Sequence, residues 1–353
     1  MTARAATTRD ESLPSAYSEA LEARSIGPLW TALHVLLPQE RVTRALPHRW
    51  RWAEVRPLLA EAARLVDIEH AERRVLVLCN PGLEGAYAIT STLYAGLQIL
   101  MPGESAPSHH HTPAALRLVV EGRGAYTTVD GVKCVMEPGD LIITPPMRWH
   151  DHGHEGTEPV VWLDGLDIPL VRGFDASWAS PMRPACLPET DTDSSEDEFT
   201  GAGLVPRRPR YAATGYPQVR WPWRTVRRAL ASLAAGAPAH EPVVLRHVDP
   251  TTGGFPLATM GSEAQWLRPG EATRAERRTA GRVYQVVEGR GESRVGDATL
   301  AWEEGDTFVA PPWHWVHHRN LSATVPACLF QFNDEPALRA LGLWHEEIES
   351  SST

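Results

Sequence analysis

The chain has 353 residues, of which 42% are hydrophobic and 22% are charged, a length that corresponds to about two domains with ordinary buried cores. This composition excludes a disordered chain, a collagen-like chain and a small disulfide-stapled fold. The formal net charge is −10, and six acidic residues lie between positions 189 and 198 with no basic residue among them. Because the sequence offers no broad basic surface, we expect neither nucleic acid nor a membrane surface as a partner.

The cysteines and the terminal segment indicate the cellular compartment. The four cysteines are Cys79, Cys134, Cys186 and Cys328, which are far apart in sequence and form no CxxC pair. Such spacing is typical of reduced, incidental thiols. The first residues contain no apolar core of a secretory signal, and no stretch approaches the ~20 apolar residues of a membrane helix. We therefore expect a cytoplasmic protein.

In the first half of the chain, the spacing of apolar residues changes from helical to strand-like near residue 66. Apolar residues recur at spacings of three and four up to that point, so residues 1–66 are predicted to form an N-terminal helical segment. Residues 67–176 contain short β-rich runs broken by Gly, Pro and Asp-Gly. Several short strands at close spacing predict an antiparallel sandwich or barrel.

The second half begins with a segment of different composition. Residues 177–224 are rich in Pro, Asp, Ser and Arg and are predicted to form a linker. Residues 225–353 are predicted to form a second β-domain, with a short helix near Thr225–Leu233 at its start. The segment 335–349 is predicted to be a closing helix.

An internal repeat covers the two β-domains. Each copy contains PGE, VVEGRG, an acidic Gly-Asp turn, a PP pair, a tryptophan and a histidine, in that order. Gly103 and Gly270 are 167 positions apart, and so are Gly122 and Gly289. Chance does not produce so many landmarks in one order, so the chain is predicted to be a duplicated β-domain with a helical preface.

Three histidines of the first copy are candidate metal ligands. His109 and His111 flank His110, and on a strand the first two share one face. His150 lies eleven residues after Gly139, on a predicted returning strand. Three neutral imidazoles can hold Fe, Zn, Ni or Cu and leave coordination positions open. The alternative is that these histidines are solvated residues of a loop.

The spacing of these residues resembles the two cupin motifs. The motif residues are Gly103, His109, His111, Gly139, Pro145 and His150. The acidic ligand usual in the first motif is absent, and residues 114–116 (AAL) occupy its region. A three-histidine cupin joined to a second cupin is similar to the gentisate 1,2-dioxygenase family, which includes salicylate, 5-substituted-salicylate and 1-hydroxy-2-naphthoate dioxygenases. The resemblance extends from about Leu21 to the C-terminal segment.

This resemblance implies an all-β bicupin, two jelly-roll barrels with an N-terminal helical segment. It also implies Fe(II) as cofactor, a homotetramer, and ring cleavage of a small aromatic acid by O₂. Gentisate, giving maleylpyruvate, is the expected substrate, and salicylate or a 5-substituted salicylate such as 5-nitrosalicylate is the alternative. A non-redox cupin that uses Zn or Mn on a small acid is a different class. A cupin transcription regulator is disfavoured, because neither end shows a basic helix-turn-helix pattern.

The second copy keeps the scaffold and loses the ligands. Glu276 and Arg278 occupy the positions of the first two histidines, and Val316 occupies that of the third. One carboxylate does not hold a catalytic metal alone. His317 and His318 leave a weak site conceivable, but we expect the second copy to be structural.

Side chains alternate between the two faces of a strand, and this alternation (strand parity) places further side chains beside the histidines. Arg117, six residues after His111, is expected to face the interior and bind an anionic substrate, with a structural salt bridge as the alternative. His152 shares the face of His150 and is the candidate proton-transfer group. Asp164 is expected to orient His152 through a hydrogen bond.

The remaining expected contacts are with the substrate. They are Tyr94, Gly96, Gln98 and Trp162, the first three on one strand face. Gly96 is expected to leave room for an aromatic ring. Arg73 begins the VLVL strand, where an arginine of the resembling family helps to hold the substrate carboxylate, and its neighbour Arg74 is expected to face outward.

Overall fold

The structure, a computed structural model, describes residues 13–181, 186–189, 191–193, 199, 207, 216–237 and 243–349. The chain separates into two compact units, residues 1–44 and residues 45–353. The described part of the first unit contains two helices, α1 (Ser15–Glu22) and α2 (Leu29–Leu36). Within the described ranges, no helix is long and apolar enough to cross a membrane.

The second unit consists mainly of strands. The helices described there are α3 (Trp52–Leu65), α4 (Ile68–Ala71), α5 (Ile168–Gly173), α6 (Trp223–Ala234) and α7 (Glu335–Ala340). The strands that precede the second copy of the repeat are β1 (His48–Trp50), β2 (Val75–Val77), β3 (Tyr94–Leu100), β4 (Ser105–His111), β5 (Ala115–Glu121), β6 (Ala125–Val129), β7 (Val132–Val135), β8 (Leu141–Thr144), β9 (His150–His154), β10 (Val160–Leu166), β11 (Ala179–Pro181), β12 (Asp191–Thr192) and β13 (Arg220–Trp221). The later strands are β14 (Val243–Arg246), β15 (Gly261–Leu267), β16 (Glu276–Arg278), β17 (Arg282–Glu288), β18 (Arg290–Val295), β19 (Ala298–Glu303), β20 (Thr307–Ala310), β21 (Val316–Asn320), β22 (Ala327–Asn333) and β23 (Glu346–Ile348).

These strands form four sheets, two around each copy of the repeat. The first barrel has the strand orders β13-β8-β5-β10-β3-β2 and β11-β4-β9-β6-β7-β12. The second barrel has the orders β1-β20-β17-β22-β15-β14 and β19-β18-β21-β16-β23. Two mainly antiparallel sheets in each copy make a jelly-roll barrel, so the predicted all-β bicupin architecture is confirmed.

The main hydrophobic core lies where the two barrels meet. It joins Leu97 and Leu163 of the first barrel to Val283 and Phe332 of the second. Strands β3 and β10 are buried along nearly their whole length. Gly165 marks a close approach, since a Cβ atom at this position would lie 2.8 Å from the Phe332 ring. The barrels therefore share this apolar core, and the first barrel's central strands are covered on both faces.

Each barrel also completes a sheet of the other. Strand β1 precedes the first barrel yet pairs antiparallel with β20 of the second, and β13 precedes the second barrel yet pairs with β8 of the first. A helix follows each exchanged strand and returns to its own barrel, α3 onto β3 and α6 onto β14 and β15. The barrels are thus interlocked by two exchanged strands.

Buried carboxylates hold both exchanged strands. Asp140 accepts a hydrogen bond from the backbone N–H of Trp223 at 2.8 Å and pairs with Arg220 at 2.7 Å. Asp306 accepts the backbone N–H of Trp52 at 2.8 Å in the same way. Because both carboxylates are buried, loss of these partners would expose a charge to an apolar interior.

Two predicted segments contain unexpected strands. Strand β1 lies inside the predicted helical segment 1–66, and β11, β12 and β13 lie inside the predicted linker 177–224. The acidic residues 196–198 of that linker lie outside the described residues. The sequences RWRW at 49–52 and RWPW at 220–223 match each other. This match indicates that the repeat begins before each β-domain, and it would have predicted β1 and β13. The domain limits themselves stay predictions.

The predicted closing helix over 335–349 is wrong in its second half. Helix α7 ends at Ala340, and Gly342 follows with a φ of 71°. The N–H of Leu343 then bonds the carbonyl of Leu338 at 2.8 Å, which is typical of a glycine-terminated helix. The chain continues as β23, which pairs with β16 and satisfies backbone groups on the edge of that strand that a longer helix would leave unpaired.

The two exchanged strands differ in how deeply their ion pairs are buried. The Arg220 side chain is 4% exposed and that of Arg49, which pairs with Asp306 at 3.6 Å, is 27% exposed. We predict that Arg220→Gln lowers the free energy of unfolding by about 3 kcal/mol, because it leaves Asp140 buried and unpaired. Arg49→Gln should lower it by at most roughly 1 kcal/mol, since water screens that pair. Urea denaturation followed by tryptophan fluorescence measures both, and equal losses would contradict the prediction.

Candidate metal centre

Three imidazoles meet inside the first barrel. His109 lies on β4 directly opposite His150 on β9, and His111 lies two residues further along β4 on the same face. The Nε2 atoms of His109 and His150 are 2.8 Å apart, and the ligand atoms of all three histidines lie within 4.8 Å of one another. Alternation along a strand produces this convergence, so one ion could contact all three rings.

Backbone carbonyls set the orientation of two of these rings. The Nδ1 of His111 bonds the carbonyl of Pro113 at 2.7 Å, and the Nδ1 of His150 bonds the carbonyl of Arg148 at 3.0 Å. Since a carbonyl only accepts, Nδ1 carries the proton in both rings. The lone pair of each ring is therefore on Nε2, which faces the point where the rings meet.

Burial keeps these histidines neutral. It lowers the pKa of His109 to about 2 and that of His111 to about 4, with a smaller contribution from the nearby Arg73 and Arg117 charges. Burial also moves the pKa of His150 well below its usual value. Neutral imidazole is the form that binds a transition metal.

Arg117 faces the same interior, but it already has an anionic partner. Its Nε lies 3.2 Å from Oδ1 of Asp164, which stands directly opposite on β10, and its Nη1 donates to the hydroxyl of Thr144 at 2.5 Å. Burial raises the pKa of Asp164 to about 6, and the Arg117 charge opposes that rise. The structural salt bridge given as the alternative for Arg117 is therefore present, and an incoming anion would share this guanidinium with Asp164.

The expected hydrogen bond between Asp164 and His152 is wrong. The Nδ1 of His152 instead bonds the hydroxyl of Thr127 at 2.8 Å, because Thr127 stands directly opposite on β6. Asp164 belongs to the other sheet, where cross-strand register pairs it with Arg117. His152 is 1% exposed, and its ring centroid lies 5.9 Å from that of His150.

The two neighbouring arginines before β2 lie in different surroundings. Arg73 is half-buried, donates to the carbonyl of Pro107 at 2.8 Å, and forms no ion pair with a carboxylate in the described part of the chain. Arg74 was expected to face outward, and this is wrong. It is 5% exposed, pairs with Glu104 and donates to the carbonyl of Ala63 at 3.0 Å, because α3 covers it.

The space above Gly96 is occupied by two side chains. A Cβ atom at Gly96 would lie 2.6 Å from Cγ1 of Val75 and 2.7 Å from the hydroxyl of Tyr94. The room expected there for an aromatic ring is thus taken up, because Tyr94 lies two residues earlier on the same strand face and its hydroxyl reaches Gly96. Tyr94 instead brings a hydroxyl to this face, and burial raises its pKa.

A family model described as a cupin domain matches residues 96–166. The chain is 44% identical over 341 residues to a gentisate 1,2-dioxygenase from Ralstonia sp., with 95% of both chains covered. It is 35% identical to a 5-aminosalicylate 1,2-dioxygenase from Comamonas sp., covering 94% of this chain and 89% of that protein. The chain belongs to the gentisate 1,2-dioxygenase family.

A solved structure of this family has the same fold. Salicylate 1,2-dioxygenase from Pseudoaminobacter salicylatoxidans, in an adduct with gentisate, superposes with a TM-score of 0.88 at 33% identity. The match covers 98% of this chain and 96% of that one. Like its relatives, this member of the gentisate 1,2-dioxygenase family is a ring-cleaving dioxygenase.

The second barrel of this family member holds charged pairs where the first holds imidazoles. Glu276 accepts a hydrogen bond from Arg282 at 2.6 Å and pairs with Arg278 at 3.2 Å, so its carboxylate is already used. Val316 is buried, and the Nδ1 of His318 bonds the hydroxyl of Ser293 at 2.7 Å. In the described ranges, only the first barrel gathers three metal-ligating side chains.

The first barrel of this family member fits a metal ion and a polar ligand. Its three Nε2 donors converge, and two of them are set by backbone carbonyls. Nearby, Nε2 of Gln98 and Nε2 of His152 are buried without a hydrogen-bond partner among the described residues. Such unpaired buried atoms are rare in native proteins and mark a place where a ligand or water bonds.

Three residues that contact the site were missed from the sequence. Thr127 bonds His152, Thr144 bonds Arg117, and Asp167 bonds the backbone next to the metal-binding strand. Strand parity could have placed Thr127 and Thr144 on the inward face. Their partners depend on cross-strand register, which parity does not supply.

We predict one equivalent of divalent metal per chain, held in the first barrel. His150→Ala should reduce the metal content towards zero, because two imidazoles hold such ions weakly. His317→Ala in the second barrel is the matched control and should retain one equivalent. Elemental analysis of metal-loaded, desalted protein measures the ratio, and a second equivalent that survives the loss of His150 would contradict a single site.

Proposed function

We propose that this chain is an Fe(II)-dependent gentisate 1,2-dioxygenase. It would open the ring of gentisate between the carboxyl-bearing and hydroxyl-bearing carbons and give maleylpyruvate. Relatives named gentisate 1,2-dioxygenase from Ralstonia sp. and Streptomyces sp., the latter 38% identical over 327 residues, support this assignment. Iron bound by His109, His111 and His150 would supply open coordination positions and the redox chemistry that O₂ requires.

The charge around the three histidines is the observation that carries the proposal. The three histidines contribute no charge, and Arg73 and Arg117 lie near them with Asp164 as the paired carboxylate. The surroundings of the histidines are therefore positive even before a divalent metal adds its own charge. An anionic ligand that chelates the metal would neutralise this excess, and a 2-hydroxybenzoate has the required carboxylate and neighbouring hydroxyl.

The side chains around the triad have separable roles in this proposal. Arg73 orients the substrate carboxylate, since its guanidinium lacks a carboxylate partner in the described part of the chain. Arg117, fixed by Asp164 and Thr144, adds positive charge from the barrel wall. His152 receives the proton of a substrate hydroxyl at Nε2, while Thr127 holds its Nδ1.

The second hydroxyl of gentisate distinguishes it from salicylate. Tyr94 and Gln98 bring a hydroxyl and an unpartnered amide N–H to the inward face of β3, and the buried Trp162 indole stands opposite Gln98. These groups suit a ring that carries one more polar substituent. Salicylate and 5-substituted salicylates remain the alternative, supported by the 5-aminosalicylate relative. The homotetramer and the cytoplasmic location stay predictions.

An oxygen-electrode screen tests the assignment. Fe(II)-loaded enzyme should consume one O₂ per gentisate and show its highest kcat/KM with gentisate rather than salicylate, 5-aminosalicylate or 5-nitrosalicylate. A higher kcat/KM for a salicylate would move the assignment to that alternative. A small-acid cupin without redox chemistry would consume no O₂ with any of the four compounds, and this result would contradict dioxygenase activity.

The role of His152 is tested by separating turnover from metal content. His152→Ala should retain the iron but lower kcat with gentisate about 10²-fold or more, as expected when a general acid–base group is lost. The loss should be smaller with salicylate, which lacks the second hydroxyl. Thr127→Val, which removes only the partner of the ring, should lower kcat less. If His152→Ala loses its iron, the His152 ring helps to hold the metal, and this result would contradict the proton-transfer role.

A further inference from the structure

One peptide group connects a metal ligand to a buried carboxylate. The carbonyl of Pro113 accepts the Nδ1 proton of His111 at 2.7 Å. The N–H of Ala114, at the other end of the same peptide bond, donates to Oδ1 of Asp167 at 2.8 Å. A peptide group is planar and rigid, so the carboxylate that fixes its N–H also fixes its carbonyl and the imidazole bonded to it.

The second barrel holds this carboxylate. Asp167 lies just after β10 of the first barrel, and its Oδ2 accepts the hydroxyl of Thr259, just before β15 of the second barrel, at 2.5 Å. Asp167 is 1% exposed and Ala114 is fully buried, so water does not readily replace the bond between them. A continuous path of hydrogen bonds therefore runs from Thr259 through Asp167 and one peptide to His111.

The repeat contains the same arrangement a second time. Thr92 of the first barrel donates to Oδ2 of Asp334 at 2.7 Å, and the N–H of Gly281 donates to Oδ1 of Asp334 at 2.9 Å. Each of these residues lies 167 positions from its counterpart in the path described above. The position of His111 is taken by Arg278, so this second path ends on a residue that is no metal ligand.

We propose that Thr259 and Asp167 are positioning residues for the metal centre, which makes the second barrel a contributor to the site of the first. They hold the Pro113–Ala114 peptide so that His111 keeps its proton on Nδ1 and its lone pair on Nε2. This inference rests on the proposed metal site but is independent of which aromatic acid is the substrate.

The internal repeat supplies a matched pair of variants for the test. Thr259→Val removes the hydroxyl that reaches Asp167, and Thr92→Val removes the equivalent hydroxyl that reaches Asp334. Both variants lose one hydrogen bond between the barrels, and Thr92→Val also loses the contact with the Thr90 hydroxyl at 3.2 Å, so Thr92→Val should lower Tm at least as much as Thr259→Val. Only Thr259→Val should weaken Fe(II) binding, by about 10-fold, the lower end of the effect of losing such an outer partner.

Metal affinity is measured by anaerobic Fe(II) titration in competition with a chelator, at a temperature where both variants are folded. Thr259→Ser keeps the hydroxyl and should restore the wild-type Kd, whereas Thr92→Val should stay within about twofold of it. Asp167→Asn and Asp334→Asn form a second matched pair, in which only the first should weaken binding, by roughly 10- to 100-fold.

Two results would overturn the proposal, and they are distinguishable. If Thr259→Val and Thr92→Val have the same Fe(II) affinity, the hydrogen bonds only join the barrels and position no ligand. If His111→Ala binds Fe(II) as tightly as the wild type, the metal site itself is wrongly assigned. Neither readout uses turnover, so a failure of the gentisate assignment leaves this test intact.

Discussion

Buried carboxylates that accept hydrogen bonds at the boundary between the barrels are the constraint on which this structure depends. Asp140 and Asp306 hold the exchanged strands, and Asp167 and Asp334 accept a hydroxyl from the opposite barrel. Burial raises the pKa of Asp334 to about 6, which reflects the cost of keeping a charge there. Each carboxylate offsets that cost only while its partners stay in place, so the barrels are held in one relative arrangement.

This arrangement explains what the second barrel contributes, although its described residues gather no group of three metal-ligating side chains. The second barrel supplies the strand that pairs with β1, part of the shared core and the hydroxyl of Thr259. Where the first barrel has His109 and His111, the second has Glu276 and Arg278, and Arg278 pairs with Glu263 and Glu276. Positive charge is balanced there within the protein, whereas the first barrel leaves positive charge for a ligand to balance.

The strand alternation of the sequence accounts for much of the site. His109 and His111 share a face because they are two residues apart on a strand, and the same rule places Arg117 in the interior. The rule fails for Asp164 and His152, which lie in different sheets. Their partners, Arg117 and Thr127, are the residues directly opposite across a strand pair. Parity states which face a residue occupies, and register states which residue it meets.

The sequence by itself determined the duplication, the β-domains and the three histidines, because these depend on local spacing and on order along the chain. Only the tertiary structure decided that β1 and β13 exchange barrels, that β23 replaces the end of a helix, and that Thr259 reaches Asp167. Each of these contacts joins segments far apart in sequence. Their pairing follows from the packing of two complete barrels, which no local pattern of residues encodes.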